Sequence, residues 1–158
     1  MTKTKTKRPY ILRTTNPKVK EFQQLLKSKH TTHTLSIIEQ HRDILIDAIL
    51  CYFHTLSQPQ DIMIQTRGST SSLARYTLYL LLREYGYTLA AISYTLSRSP
   101  ATIIQGIELF NKSVIDNPEN PEYTNPYMKR KADIPKPALL RALKQLREFN
   151  EELKHLED

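Results

Sequence analysis

Apolar residues recur at spacings of three and four along most of this 158-residue chain, and no segment shows a convincing strand-like alternation. Such spacing places apolar side chains on one face of successive helices, which must then pack against one another. Polar turns such as KHTTHT and QPQ separate the periodic segments. The pattern therefore predicts an all-α fold.

Residues that favour helix ends set the predicted boundaries. Asn16-Pro17 opens a first helix, Gly86 closes a helix over 71–85 in the left-handed conformation, and Thr88 caps a helix over 89–96. The remaining predicted elements are a helix over about 36–56, a short turn over 61–64, a helix from Pro100 to about Val114, and a C-terminal helix.

The stretch SRSPATI has the form of a deliberate helix start, because serine is a preferred cap and proline is preferred at the first helical position. Together with the helix over 89–96 it predicts two helices joined by a three-residue turn, the helix-turn-helix pattern. The second helix of such a pair enters the DNA major groove by its N-terminal end. Six residues are candidates for DNA contact there: Ser97, Arg98, Ser99, Ala101, Thr102 and Gln105.

These side chains suit different parts of a duplex. Arg98 is able to pair with phosphate or guanine, Gln105 with adenine, and Ala101 or Thr102 with a thymine methyl. The apolar Ile103, Ile104, Ile107 and Phe110 are expected to face the core. The competing interpretation is a packed pair of helices with an incidental arginine.

The positive charge is clustered. The chain carries 23 Lys and Arg against 16 Asp and Glu, a formal net charge of +7, and the excess lies in the first 30 residues and around 65–115. Clustered charge favours a polyanionic partner, most often nucleic acid, with solubility alone as the alternative. The arm MTKTKTKR supplies four candidate phosphate contacts: Lys3, Lys5, Lys7 and Arg8.

Composition argues against catalysis and membrane insertion. The chain has three glycines, no glycine-rich phosphate loop, and five histidines that lack metal-ligand spacing. Cys51 lies in an apolar helical run and is expected to be a small core residue. With no membrane-length apolar run or signal peptide, we expect a non-enzymatic, soluble, cytoplasmic protein without cofactor or metal.

The order of four motifs resembles a known family. QTRGST, LARYTLYLLLRE, TLAAISYTL and RSPATI follow one another as do the basic loop, long helix, short helix and recognition-helix start in the C-terminal DNA-binding domain of the bacterial replication initiator DnaA. The similarity covers about 44–112. The matching positions are Ala74-Arg75, Arg83-Glu84, Leu89-Ala90-Ala91-Ile92-Ser93 and Arg98.

The resemblance implies two further DNA contacts. A basic residue of the family's loop reaches into the minor groove, which implies this role for Arg67, with Gly68 allowing close approach and Ser69 beside it. Arg75 resembles a family phosphate contact. The family's Asp-His pair is replaced by Ser99-Pro100, and the loop carries one arginine where the family usually has several, so a different DNA sequence or weakly specific binding is expected. The family's ATPase module is absent.

The chain is thus predicted to contain a basic arm (1–15), a helical DNA-binding domain (16–115), a proline-rich linker (116–137) and a C-terminal amphipathic helix (138–158). The apolar stripe of that last helix is expected to pack on the N-terminal helices, with a homodimer through 139–156 as the alternative.

The expected function is double-stranded DNA binding by a regulator or replication accessory of a phage or mobile element, located in the cytoplasm at the nucleoid. The alternative is a structural or assembly protein, such as a virion component, that uses the fold for protein contacts.

Overall fold

The computed structural model describes residues 17–28, 34–63, 69–116, 119 and 132–156. Within these ranges the ordered elements are helical and no strand occurs, so the predicted all-α class is confirmed. The helices are α1 (Pro17–Ser28), α2 (Thr34–Leu50), α3 (Gln60–Met63), α4 (Ser69–Tyr85), α5 (Leu89–Leu96), α6 (Pro100–Phe110) and α7 (Lys136–Lys154); a π-helical segment (Asn111–Ile115) extends α6.

Most predicted boundaries agree with the structure to within two or three residues, and α5 agrees at both ends. The largest difference is in α2, which ends at Leu50 instead of continuing to about 56. The chain then turns through 51–56, where the amide of Leu56 donates to the carbonyl of Phe53. This turn brings the Phe53 ring into the core, where it is 1% exposed.

Helix α4 is the centre of the fold. Thirteen of its seventeen residues are buried, including the polar first turn from Ser69 to Ser72. The sequence predicted a single apolar face on this helix, but α2, α3, α5, α6 and α7 all pack against it. A helix that is buried on all sides must be enclosed by others.

The end of α4 is closed as predicted. Gly86 adopts a φ of 122°, in the region that favours glycine, and its amide donates to the Arg83 carbonyl. The amide of Tyr87 then reaches back to the Leu82 carbonyl. The glycine therefore turns the chain from α4 into α5.

Helix α6 lies very close to α4 because of a second glycine. A Cβ atom added at Gly106 would lie 2.7 Å from Cδ1 of Tyr76 and 2.9 Å from Cδ2 of Tyr79. The two tyrosine rings therefore occupy the space that any side chain at 106 would need. This contact determines the distance between α6 and α4.

The C-terminal helix α7 belongs to the same core. Its apolar stripe, Leu139, Ala142, Leu146, Phe149 and Leu153, is buried against α4 and α2. Arg147 pairs with Glu84 of α4 at 2.6 Å, and Lys136 donates to the Ser113 carbonyl of the π-helical segment at 2.6 Å. A homodimer through 139–156 would therefore have to use the outward side of α7. Most of the predicted linker lies outside the described residues.

A buried polar network ties α2 to α7. The Nδ2 of Asn150 donates to the Leu81 carbonyl at 2.8 Å, which turns its Oδ1 toward Nε2 of His41, also at 2.8 Å. His41 Nε2 must then carry the proton, and Nδ1 accepts from the Tyr87 hydroxyl at 2.9 Å. His41 has no exposed surface, and burial lowers its pKa to about 4, against an opposing effect of the Asn150 bond.

None of the described helices is both long and apolar enough to cross a membrane.

Replacing Gly106 with alanine is expected to destabilise the protein by about 1–3 kcal/mol, because the new Cβ would displace Tyr76 and Tyr79. The direction of the change in unfolding free energy is informative, because the same substitution at an exposed helical glycine stabilises a protein by about 0.5–1 kcal/mol. Urea unfolding of Gly106→Ala beside Glu108→Ala, an exposed change on the same helix, measures it. A stabilised Gly106→Ala protein would contradict the close contact.

The free energy of unfolding is expected to fall as the pH drops from 6.5 toward 4. Unfolded His41 takes up a proton near pH 6.5, whereas folded His41 does so only near 4, so the unfolded state binds more protons throughout that window. The loss between pH 7 and pH 5 should be about 2 kcal/mol. Urea unfolding at both pH values measures it, and His41→Gln, which does not titrate, should lose much less. Equal losses in the two proteins would contradict this account.

Candidate nucleic-acid interface

The turn between α5 and α6 consists of Ser97, Arg98 and Ser99. Ser97 ends α5 with a left-handed φ of 55°, and its amide donates to the Ser93 carbonyl. The Ser93 hydroxyl donates in turn to the Arg98 carbonyl. Ser99 is extended and caps α6. The main chain of the turn is therefore held by α5 on one side and by the cap on the other.

The N-terminal end of α6 has the cap that the sequence predicts. The Ser99 side chain accepts from the Thr102 amide at 3.1 Å, and its hydroxyl also bonds the Thr102 hydroxyl at 2.9 Å. Pro100 occupies the first turn, where its lack of an amide hydrogen costs nothing. The amides and the helix dipole leave a partial positive charge at this end, which favours an anion or a base-edge acceptor.

The outward face of this helix start is small and polar. Five of the six candidates are exposed: Ser97, Ser99, Ala101, Thr102 and Gln105. Ile103, Gly106 and Phe110 lie buried beneath them. The prediction that Ile104 faces the core is wrong, because this side chain is 39% exposed.

Arg98, the sixth candidate, is only half-buried and does not extend freely into solvent. One terminal nitrogen (Nη2) donates to the Met63 carbonyl at 2.8 Å, and the other (Nη1) approaches the Ser97 carbonyl at 3.3 Å. Its positive charge also lies near the Tyr79 hydroxyl of α4, where it opposes the rise in pKa that burial causes. The Arg98 guanidinium therefore bonds α3 and lies beside α4.

Arg75 lies in the interior. It is 6% exposed, and its guanidinium donates to the Ile62 carbonyl at 3.1 Å and to the Ser72 hydroxyl at 3.4 Å. Burial lowers its pKa, and the nearby positive charge of Arg98 acts in the same direction. The phosphate contact implied by the family resemblance stays a prediction that this burial does not favour.

The two arginines border a small cavity of about 10 Å³, which is close to the space of a single water molecule. Its walls are mainly apolar, from Ile62, Leu78 and Leu96. This volume is far below that of a small-molecule pocket. Among the described residues no group of three or more His, Cys, Asp or Glu side chains is arranged to hold a metal ion.

The remaining candidates divide into two groups. Ser69 opens α4 and is 4% exposed, so its side chain lies inside the protein. Arg67, Gly68 and the basic residues of the arm, Lys3, Lys5, Lys7 and Arg8, lie outside the described residues. The structure thus brings together the candidates between 97 and 105.

Sequence reasoning did not identify Tyr94, which is 68% exposed on α5. A signal for it was available: Leu89, Ile92 and Leu96 form the inward stripe of the helix, and Tyr94 falls off that stripe. Tyr94 and Ile104 are the two large hydrophobic side chains exposed among the described residues. Both belong to the α5–α6 pair.

No family model, no curated protein and no solved structure matches the chain.

Proposed function

We propose that the protein binds double-stranded DNA as a helix-turn-helix module, with α6 as the recognition helix. The observation that carries the proposal is the capped N-terminal end of α6, which presents small and polar side chains above a buried apolar face. Such a helix start combines partial positive charge with side chains short enough to approach base edges. The likeness of the sequence to the DnaA DNA-binding domain supports the same function.

Three outward residues are suited to base readout. Gln105 is able to pair with adenine, and Ala101 can pack on a thymine methyl. The Thr102 hydroxyl is already bonded to Ser99, so its methyl group is the part suited to thymine. Ser97 and Ser99 are exposed beside the turn and can donate to phosphate.

Most of the phosphate neutralisation must come from outside this helix pair. Between 88 and 110 the chain carries one basic residue, Arg98, and one acidic residue, Glu108. Duplex DNA is recognised first through its phosphates, so further cations are needed. The four cations of the arm, and Arg67 in the segment before α4, supply them in this proposal.

The proposed role is that of a transcription regulator or replication accessory of a phage or mobile element. Because the sequence lacks a GxxxxGK[ST] loop, the proposal includes no ATP-driven step.

A second candidate function is favoured by the exposure of Tyr94 and Ile104. Exposed aromatic and aliphatic side chains are typical of protein–protein contacts, so the α5–α6 surface suits a structural or assembly protein as well. Salt-dependent binding to duplex DNA separates the two functions, since protein assembly does not require it.

Ala101→Glu is expected to weaken binding to a short mixed-sequence duplex by roughly tenfold or more relative to Ala101→Gln at the same salt concentration. The two side chains match in shape, and the helix start tolerates a carboxylate, so the variants differ mainly in the charge set against phosphate. Fluorescence anisotropy with a labelled duplex measures the ratio.

Gln24→Glu, an exposed change on α1, is the control for net charge, because it adds the same negative charge on a different helix. It should weaken binding much less than Ala101→Glu does. If Ala101→Glu and Ala101→Gln bind equally, α6 does not enter the groove. If the parent protein shows no salt-dependent binding, the DNA function itself is wrong.

Removal of residues 1–8 is expected to flatten the dependence of log K on log salt by about 0.9 for each cation that contacts phosphate. The segment carries four cations, and every described helix begins after it, so thermal unfolding should be unchanged. Anisotropy titrations over a series of salt concentrations measure the slope. An unchanged slope would show that the arm does not touch DNA.

A further inference from the structure

The short helix α3 ends against two guanidinium groups. A four-residue helix cannot satisfy its last carbonyls internally, so these oxygens need other donors. Ile62 accepts from Arg75 at 3.1 Å, and Met63 accepts from Arg98 at 2.8 Å. One arginine comes from α4 and the other from the turn before α6, so two separate parts of the chain meet at this helix end.

Arg98 is fixed at both its side chain and its main chain. The guanidinium bonds the carbonyls of Met63 and Ser97 and borders the same small cavity as Tyr79 of α4, while the Arg98 carbonyl accepts from the Ser93 hydroxyl. A planar guanidinium holds several acceptors in a fixed geometry, which a lysine ammonium does not do. The residue therefore joins the turn to α3, α4 and α5 together.

We propose that Arg98 is a positioning residue that holds the start of α6 in place, and that it does not contact DNA. The proposal rests on the proposed DNA function, and it revises the sequence-based prediction that Arg98 pairs with phosphate or guanine. Ser99 follows Arg98 directly, so a fixed Arg98 fixes the cap and with it the first turn of α6. Readout then falls to the exposed Ala101, Thr102 and Gln105.

The two roles of Arg98 predict opposite results for a conservative substitution. A lysine keeps the charge and satisfies a phosphate contact, but it does not reproduce the paired bonds to the carbonyls of Met63 and Ser97. If Arg98 positions α6, Arg98→Lys and Arg98→Ala should both weaken duplex binding by roughly tenfold. If Arg98 contacts phosphate, Arg98→Lys should keep nearly the parent affinity.

The salt dependence of binding gives an independent criterion. Loss of a phosphate contact in Arg98→Ala should lower the slope of log K against log salt by about 0.9, whereas loss of positioning should leave it close to that of the control. Arg83→Ala is the matched control: Arg83 is exposed at the end of α4, and its guanidinium bonds a single carbonyl, that of Tyr87, at 2.9 Å. It removes the same charge away from the α6 start.

Amide hydrogen exchange tests the positioning role without DNA. In Arg98→Ala and Arg98→Lys the amides of Thr102 and Ile103 should exchange faster than in the parent, while those of Leu146 and Phe149 in α7 should not change. Unchanged protection at Thr102 and Ile103 would overturn the proposal, as would parent-like affinity in Arg98→Lys. If the parent does not bind duplex DNA, the proposed function fails, and the exchange data still decide whether Arg98 holds α6.

Discussion

The burial of α4 is the constraint on which the rest of the structure depends. This seventeen-residue helix has thirteen buried residues, several of them polar, and buried polar groups must be hydrogen-bonded. The Thr77 hydroxyl donates to the Leu73 carbonyl, and the Arg75 guanidinium donates to the Ile62 carbonyl. Five other helices then take their positions from this one. The α5–α6 pair therefore packs into the same core as the other helices.

The sequence predicted the helices better than it predicted their surroundings. Local signals act within a few residues, so the cap at Ser99, the glycine at Gly86 and the bounds of α5 agree with the structure. The depth of burial depends on partners distant in the chain, which no local pattern reveals. For this reason no local pattern indicated that Arg75, for which the resemblance implies a phosphate contact, is enclosed beside the end of α3.

The candidate site likewise contains some features that local periodicity predicts and others that depend on distant parts of the chain. The exposure of Ala101 and Gln105 follows from the helical period once the inward face of α6 is known. The contact between Arg98 and Met63 joins residues 35 positions apart and could not be inferred from spacing. Tyr94 was accessible to sequence reasoning, because only the regularity of one inward stripe was needed to place it outside.

The separation of the two faces of α6 has a consequence for how such a protein can change over generations. Gly106 and Ile103 are constrained by the tyrosines and apolar side chains beneath them, so most replacements there damage folding. Ala101 and Gln105 are exposed on the other side, and substitutions at exposed positions usually alter stability by under about 0.5 kcal/mol. Mutations can therefore accumulate on the outward face while the scaffold persists, and descendants with the same architecture are free to differ in the shape and chemistry of that face.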